Sequence, residues 1–232
     1  MPTRRDNGRA RRTNAAAAAL LAICLASNAA AQVSGDASVL SDYRFRGVSL
    51  SQGDPAAQVD INFDAAAGWF AGLFASTIKL AFYPAVNREV LPYAGYAYRL
   101  GPDLSVEAGA SYADFSSGNE FDYVEAHAGI TTRLVNLRLA YAPRYFGQDR
   151  AATYLELNSG TEIAAGWRVF GHAGVLAERS RRQYDGRLGV RYEWESLSVQ
   201  LSRVAVSRVS YLYPAGSTRD RGAWVVQATK FF

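Results

Sequence analysis

Trp224-Val225-Val226-Gln227-Ala228-Thr229-Lys230-Phe231-Phe232 closes the chain, and its alternation decides how everything before it is read. Counting back from Phe232, Val226 and Trp224 share the face of the terminal phenylalanine, whereas Gln227, Thr229 and Val225 share the other. One face suits lipid and the other water. Lys230 interrupts the apolar face, where its stem can lie along hydrocarbon while the ammonium reaches the head groups. An edge strand of a soluble sandwich would also end on an aromatic. A strand that pairs with the first strand of the chain instead closes a barrel and leaves no free edge.

The other end of the chain reads as an export signal followed by one domain over residues 32–232. Arg4, Arg5, Arg9, Arg11 and Arg12 precede an apolar run from Ala15 to Leu25, and Ala29-Ala30-Ala31 offers a small-residue cleavage site. Residues 1–31 are therefore expected to be a removed signal peptide. They contain the lone cysteine, Cys24, which leaves the remainder without disulfide or thiolate chemistry. The chain has 25 Lys+Arg and 21 Asp+Glu; setting aside five arginines and Asp6 in the leader leaves 20 of each. The basic pI belongs to the leader, so nucleic acid is not an expected partner.

Beyond the leader no apolar run is long enough for a membrane helix, so a membrane reading requires strands. The alternation supports them throughout. Ala37, Val39, Tyr43 and Phe45 oppose Asp36, Ser38, Asp42, Arg44 and Arg46 in an expected first strand; Ala57, Val59, Ile61 and Phe63 oppose Gln58, Asp60, Asn62 and Asp64 in a second. The rhythm continues to the closing strand and predicts an all-β, up-and-down antiparallel transmembrane β-barrel of twelve strands. At roughly ten residues each, twelve strands use about 120 residues and leave about 80 for connections. Connections near residues 66, 102, 134, 165 and 194 read as short, those near 51, 84, 117, 147, 180 and 213 as longer. Trp69, Trp167 and Trp194 sit beside the short ones and, with Phe232, are expected at a membrane interface.

The run Ser41-Asp42-Tyr43-Arg44-Phe45-Arg46-Gly47-Val48-Ser49, with Ser51, Gln52 and Pro55, resembles the opening signature of the TorF-type porin family, the Gcw_chp group. Tyr93-Ala94-Gly95-Tyr96 and the ending Thr229-Lys230-Phe231-Phe232 are similar to that family too, whereas Pro92 departs from its pattern. The resemblance implies an outer-membrane barrel with a channel role and specifies no substrate.

Charged residues on inward faces are the candidate functional groups: Asp42, Arg44, Arg46, Asp60, Asp64, Glu107, Glu125, Arg138, Glu156, Arg168, Arg187 and Arg191, together with Glu162 and Asp185. An arginine facing lipid at mid-depth costs roughly 2–4 kcal/mol, so these positions mark the lumen. They serve either as a ladder of ion pairs filling the interior or as the charged lining of a water-filled channel for small hydrophilic solutes. A closed structural or adhesive barrel acting through its loops is the alternative. Neither His127, with Glu125 two residues away and able to pair with it, nor His172 has the neighbours of a hydrolytic triad, and the spacing of histidines and carboxylates makes no metal site. No catalytic residue, metal or cofactor is expected. The expected partners are outer-membrane lipid and lipopolysaccharide, the barrel-assembly machinery through the last strand, and the solute; Arg179, Arg181 and Arg182 read as a solvated loop, with binding of lipopolysaccharide phosphates as the alternative.

Overall fold

The computed structural model describes residues 32–80, 82–116, 120–179, 181–210, 213–214 and 221–232. The expected signal peptide, residues 1–31, lies outside the described residues. The wall of the molecule consists of β1 (Gln32–Leu40), then, after a small inner hairpin of β2 (Arg44–Phe45) and β3 (Val48–Ser49), β4 (Ala56–Asp64), β5 (Trp69–Thr77), β6 (Arg88–Gly101), β7 (Leu104–Phe115), β8 (Tyr123–Thr132) and β9 (Val135–Ala142). After a 3-10 turn at Tyr145–Gly147 come β10 (Ala152–Ala164), β11 (Trp167–Glu178), β12 (Arg181–Trp194), β13 (Leu197–Val206) and β14 (Gly222–Phe231).

Twelve of these strands pair antiparallel with their sequence neighbours, and β1 pairs with β14 to close the barrel. Asp36 faces Phe231 and Leu40 faces Gln227 across that seam, and Gly35 and Phe232 exchange both backbone hydrogen bonds at 3.0 Å. The alternation read from the last strand holds: Trp224 and Val226 are exposed on the outer wall, while Val225 and Thr229 are buried inside. β13 keeps the same strict alternation, Leu197, Val199 and Leu201 outward against Ser198, Gln200 and Ser202 inward. Backbone groups are thus satisfied between strands, as lipid demands.

The short connection expected near residue 134 lies at Arg133 and Leu134, and Val135 and Asn136 begin the next strand. Other boundaries differ from expectation. β11 ends at Glu178 and β12 starts at Arg181, so the connection expected to be long near residue 180 is short, and Arg181 and Arg182 belong to a strand. Pro92 lies inside β6, facing Leu73 of β5; on its other side the register to β7 passes from Val90↔Asp114 to Tyr93↔Ser111. A proline has no N–H to donate to that second ladder.

The largest correction concerns the expected first strand. β1 stops at Leu40, and Tyr43 to Arg46 do not continue it along the wall. Residues 41–55 instead fold inward, with Tyr43, Val48 and Leu50 buried. The reversal is local chemistry. Arg46 (φ +50°) and Gly47 (φ +81°) occupy the two central positions of a tight hairpin, and both must take positive φ in the turn that matches strand twist. A Cβ on Gly47 would stand 2.7 Å from Asp185 Cβ and 3.0 Å from Val206 Cβ, so only glycine lets the turn lie against the barrel wall.

The buried apolar core accordingly lies inside the barrel at the end bearing the longer loops. Leu40, Val48, Leu50, Ile78, Leu80 and Phe115 meet there with Tyr145 and Phe146 from the loop after β9 and with Tyr213. The end bearing the short turns has no such filling among the described residues.

Candidate functional site

The inner hairpin is held by its own side chains before it touches the wall. The Asp42 carboxylate accepts from Ser49 Oγ (2.5 Å), Ser51 Oγ (3.0 Å) and the Gly53 N–H (3.3 Å), and pairs with Arg44 Nε at 2.5 Å. Arg44 Nη1 also donates to the Gly47 carbonyl at 3.1 Å. Tyr43 Oη donates to Glu89 Oε2 at 3.0 Å. Burial, reinforced by the neighbouring Glu89 charge, pushes this phenol upward, so it stays a donor.

Arg46 joins the hairpin to the wall. Its Nη2 lies 2.7 Å from both carboxylate oxygens of Glu125 on β8, and its guanidinium sits 4.2 Å from the Tyr154 ring centroid and 5.3 Å from that of Tyr145. Its carbonyl accepts from Gln183 Nε2 at 3.0 Å. The pair is mostly buried, with side-chain exposures of 7% and 14%, so removing either member would leave a buried charge uncompensated. Burial also pushes the Tyr145 phenol up to about 12; it donates to Tyr213 Oη at 3.2 Å.

Beneath the hairpin lies a cavity of about 1040 Å³. Arg44, Arg46, Asp60, Asp64, Glu107, Glu125, Arg138, Glu156, Arg187 and Arg191 all line it. Asp42 does not; it is buried as the fold-holding acceptor of the hairpin. Arg168 lies apart, with Glu162 and Trp167 in a small cleft at the short-turn end, beside the turn residues Gly166 and Glu195. Glu125, able by its position to pair with His127, pairs with Arg46, and His127 Nε2 is buried without a hydrogen-bond partner among the described residues. Arg138 pairs with Glu107 at 2.7 Å, so part of the lining is an ion-pair ladder.

Two arrangements escaped sequence reasoning. On β10 to β12, Tyr154 Oη is 3.0 Å from His172 Nε2 and 3.0 Å from Asp185 Oδ1, while His172 Nδ1 lies 2.7 Å from Asn158 Oδ1. Alternation places each of these residues inward, but not their mutual contact. The second is a cation–π group: the guanidinium carbons of Arg187 and Arg191 lie 5.4 Å and 5.6 Å from the Phe170 ring centroid. Gly189 makes room for it, since a Cβ there would meet Phe170 Cζ at 2.4 Å.

The outer wall carries aromatics at both ends. Trp69 (62% exposed), Trp167 and Trp194 stand at the short turns with Tyr96 and Tyr192 beside them, and Phe232 ends the chain on the same rim. Tyr112, Tyr141, Tyr184 and Trp224 ring the opposite end. Two aromatic bands around an apolar belt of exposed Val, Ile and Leu side chains match the two interfaces of a bilayer.

With barrel, lumen and inner hairpin in place, the sequence matches over residues 26–230 the family described as "Bacterial protein of unknown function (Gcw_chp)". The chain belongs to the Gcw_chp family. None of the curated proteins matches it by sequence. Among solved structures, the Gcw_chp barrel resembles a NanC porin (TM-score 0.58, 9% identity, 87% of this chain and 100% of that one). It also resembles a KdgM porin (TM-score 0.57, 13% identity, 86% and 99%) and the COG4313 outer membrane channel from Pseudomonas putida F1 (TM-score 0.52, 9% identity, 89% and 97%). At such identities the likeness is one of fold: these neighbours are outer-membrane channel barrels, and the Gcw_chp chain shares their architecture.

Proposed function

We propose that this Gcw_chp protein is a passive outer-membrane channel for small hydrophilic solutes, the role that the TorF-type resemblance implies. The observation that carries the reading is the polar, charge-lined cavity inside a barrel whose outside is apolar and banded with aromatics. Residues 1–31 act as the export signal, the outer belt sits in lipid, and β14 is the segment that the assembly machinery engages. The arginines at Arg179, Arg181 and Arg182 meet lipopolysaccharide phosphates at the long-loop end. The eleven charged residues of the lining filter solutes electrostatically rather than by reaction. The porin neighbours, which are not enzymes, support a transport role.

A second reading has its own observation. The inner hairpin and the aromatic cluster of Tyr145, Phe146 and Tyr213 fill the long-loop end, as a closed barrel acting through its loops would require. Single-channel recording of the refolded protein in planar bilayers separates the two. Discrete, reproducible conductance steps are expected; a folded, heat-modifiable barrel that stays silent would move the function to the loops.

A further inference from the structure

The charges that face the cavity without a close partner of opposite sign are sorted by position. From β4 to β6 the lining contains acids and no base: Asp60 and Asp64, with Tyr93 Oη donating to Asp60 Oδ1 at 2.8 Å. Asp36 of β1 stands directly across the register from Asp60 and adds to this pole. From β11 to β14 the cavity-facing bases are Arg187, which has no ion pair among the described residues, and Arg191, whose ion pair is the long one to Glu193 at the turn. Arg187 Nε donates to Ser202 Oγ at 2.9 Å, its sole hydrogen-bond partner among the described residues, and the residue lines the cavity. Arg191 leans on Gln200 at 3.2 Å and touches Glu193 only at 3.4 Å. The remaining charges are already engaged: Arg44 with Asp42, Arg46 with Glu125, Arg138 with Glu107 and opposite Glu156 in the register, and Asp185 with His172.

The two poles stand at one depth. Arg191 is three residues from the short-turn end of β12 at Trp194, and Asp60 is four from that of β4 at Asp64. Around the wall β12 and β4 are four steps apart, through β13, β14 and β1. With strands about 4.8 Å apart and tilted by about 40°, a twelve-stranded barrel has a radius of about 12 Å, and four steps span a chord of about 20 Å. An arginine reaching inward by about 7 Å and an aspartate by about 3 Å leave roughly 10 Å between their charged ends. After a charge-assisted hydrogen bond of about 2.8 Å at each side, about 5 Å remains.

We propose, building on the channel reading, that this part of the lumen is a binding site for small zwitterions whose ammonium and carboxylate are about 5 Å apart, such as ω-amino acids and short peptides. The guanidinium groups of Arg187 and Arg191, both beside the Phe170 ring, take the carboxylate. Asp60 and Asp64 take the ammonium. A solute with one charge satisfies one pole and leaves the other solvated.

The test is a matched series of four probes offered to the refolded protein in detergent: 4-aminobutyrate, 4-hydroxybutyrate, 4-amino-1-butanol and 1,4-butanediol. Saturation-transfer NMR reads binding whether or not the barrel conducts. The zwitterion should bind about fivefold more tightly than either singly charged probe. Arg187→Gln with Arg191→Gln should reduce it to the level of the amino alcohol, and Asp60→Asn with Asp64→Asn to that of the hydroxy acid. If a double variant fails to migrate as a heat-modifiable barrel, the single variants Arg191→Gln and Asp60→Asn serve, with smaller losses in the same directions. Equal binding of 4-hydroxybutyrate and 4-aminobutyrate, or a zwitterion preference that survives both variants, overturns the proposal. Parallel bilayer recordings keep the two readings distinct. Preference without conductance refutes the channel and leaves the site standing, whereas conductance without preference refutes the site alone.

Discussion

The two halves of this barrel solve opposite problems with the same twelve strands. Toward the long loops the interior is dry: an inner hairpin, Tyr145, Phe146 and Tyr213 interlock as they would in a soluble core. Toward the short turns it is wet, and side chains on the same inward faces are Asp60, Asp64, Arg187 and Arg191 around open space. Charge is treated differently as well. In the dry half the two arginines of the hairpin are matched, Arg46 by Glu125 and Arg44 by Asp42, because an unpaired guanidinium there is expensive, and the buried Glu89 accepts from the Tyr43 hydroxyl. In the wet half water does that work and charges can stand apart. The lumen is divided into a stopper and a vestibule, and the division follows solvation rather than strand order.

The largest blow to that comparison is Gly47→Val. A β-branched residue at φ +81°, colliding with Asp185 and Val206, should cost about 3 kcal/mol and drive the hairpin from the wall. The expected readout is a severalfold rise in single-channel conductance with a lowered unfolding midpoint in urea; unchanged conductance would show that the hairpin is not the stopper. Next comes Glu125→Ala, which strands the Arg46 guanidinium among aromatic rings and should destabilise by about 3 kcal/mol, the low end of the range because the cavity brings water to one side. Pairing Arg46→Met with Glu125→Leu should recover most of that loss, whereas a double variant no more stable than Glu125→Ala would mean the pair is not an isolated unit.

In the wet half, Arg187→Gln with Arg191→Gln should leave the fold intact and shift the reversal potential in a salt gradient toward cations. A factor of about three to five in permeability ratio follows from a unit charge being worth about 1 kcal/mol at 4 Å in water. A shift of opposite sign would place the controlling charges elsewhere. The smallest effect is expected outside the lumen. Trp69→Ala removes the edge-on contact with Tyr96, whose ring centroid lies 5.1 Å away, and should lower stability in lipid vesicles by about 1 kcal/mol without altering conductance.

Most of the wall was legible in the sequence because the signal is local. Period-two alternation from Gln58 to Asp64, or from Leu197 to Ser202, states the inner and outer faces outright, since in a barrel one face meets lipid along the whole strand. It placed the nine lining charges of the wall strands, from Asp60 to Arg191, for that reason. The same rule misread residues 41–46, where Tyr43 and Phe45 alternate with Asp42, Arg44 and Arg46 as a wall strand would. The aromatics there face a buried core inside the lumen, and alternation cannot distinguish an apolar interior from lipid.

By itself, then, the sequence determined the fold class, the strand count and the closing role of Trp224 to Phe232, each of which depends on neighbours along the chain. Only the tertiary structure decided that the family signature Asp42 to Ser49 is an inner hairpin and not a membrane strand. The same holds for the pairing of Arg46 with Glu125, 79 positions away, and for Arg191 standing across the lumen from Asp60. Closing the barrel brings distant strands around a common axis, and whether a charge is paired or free depends on which side chains the far strands present there.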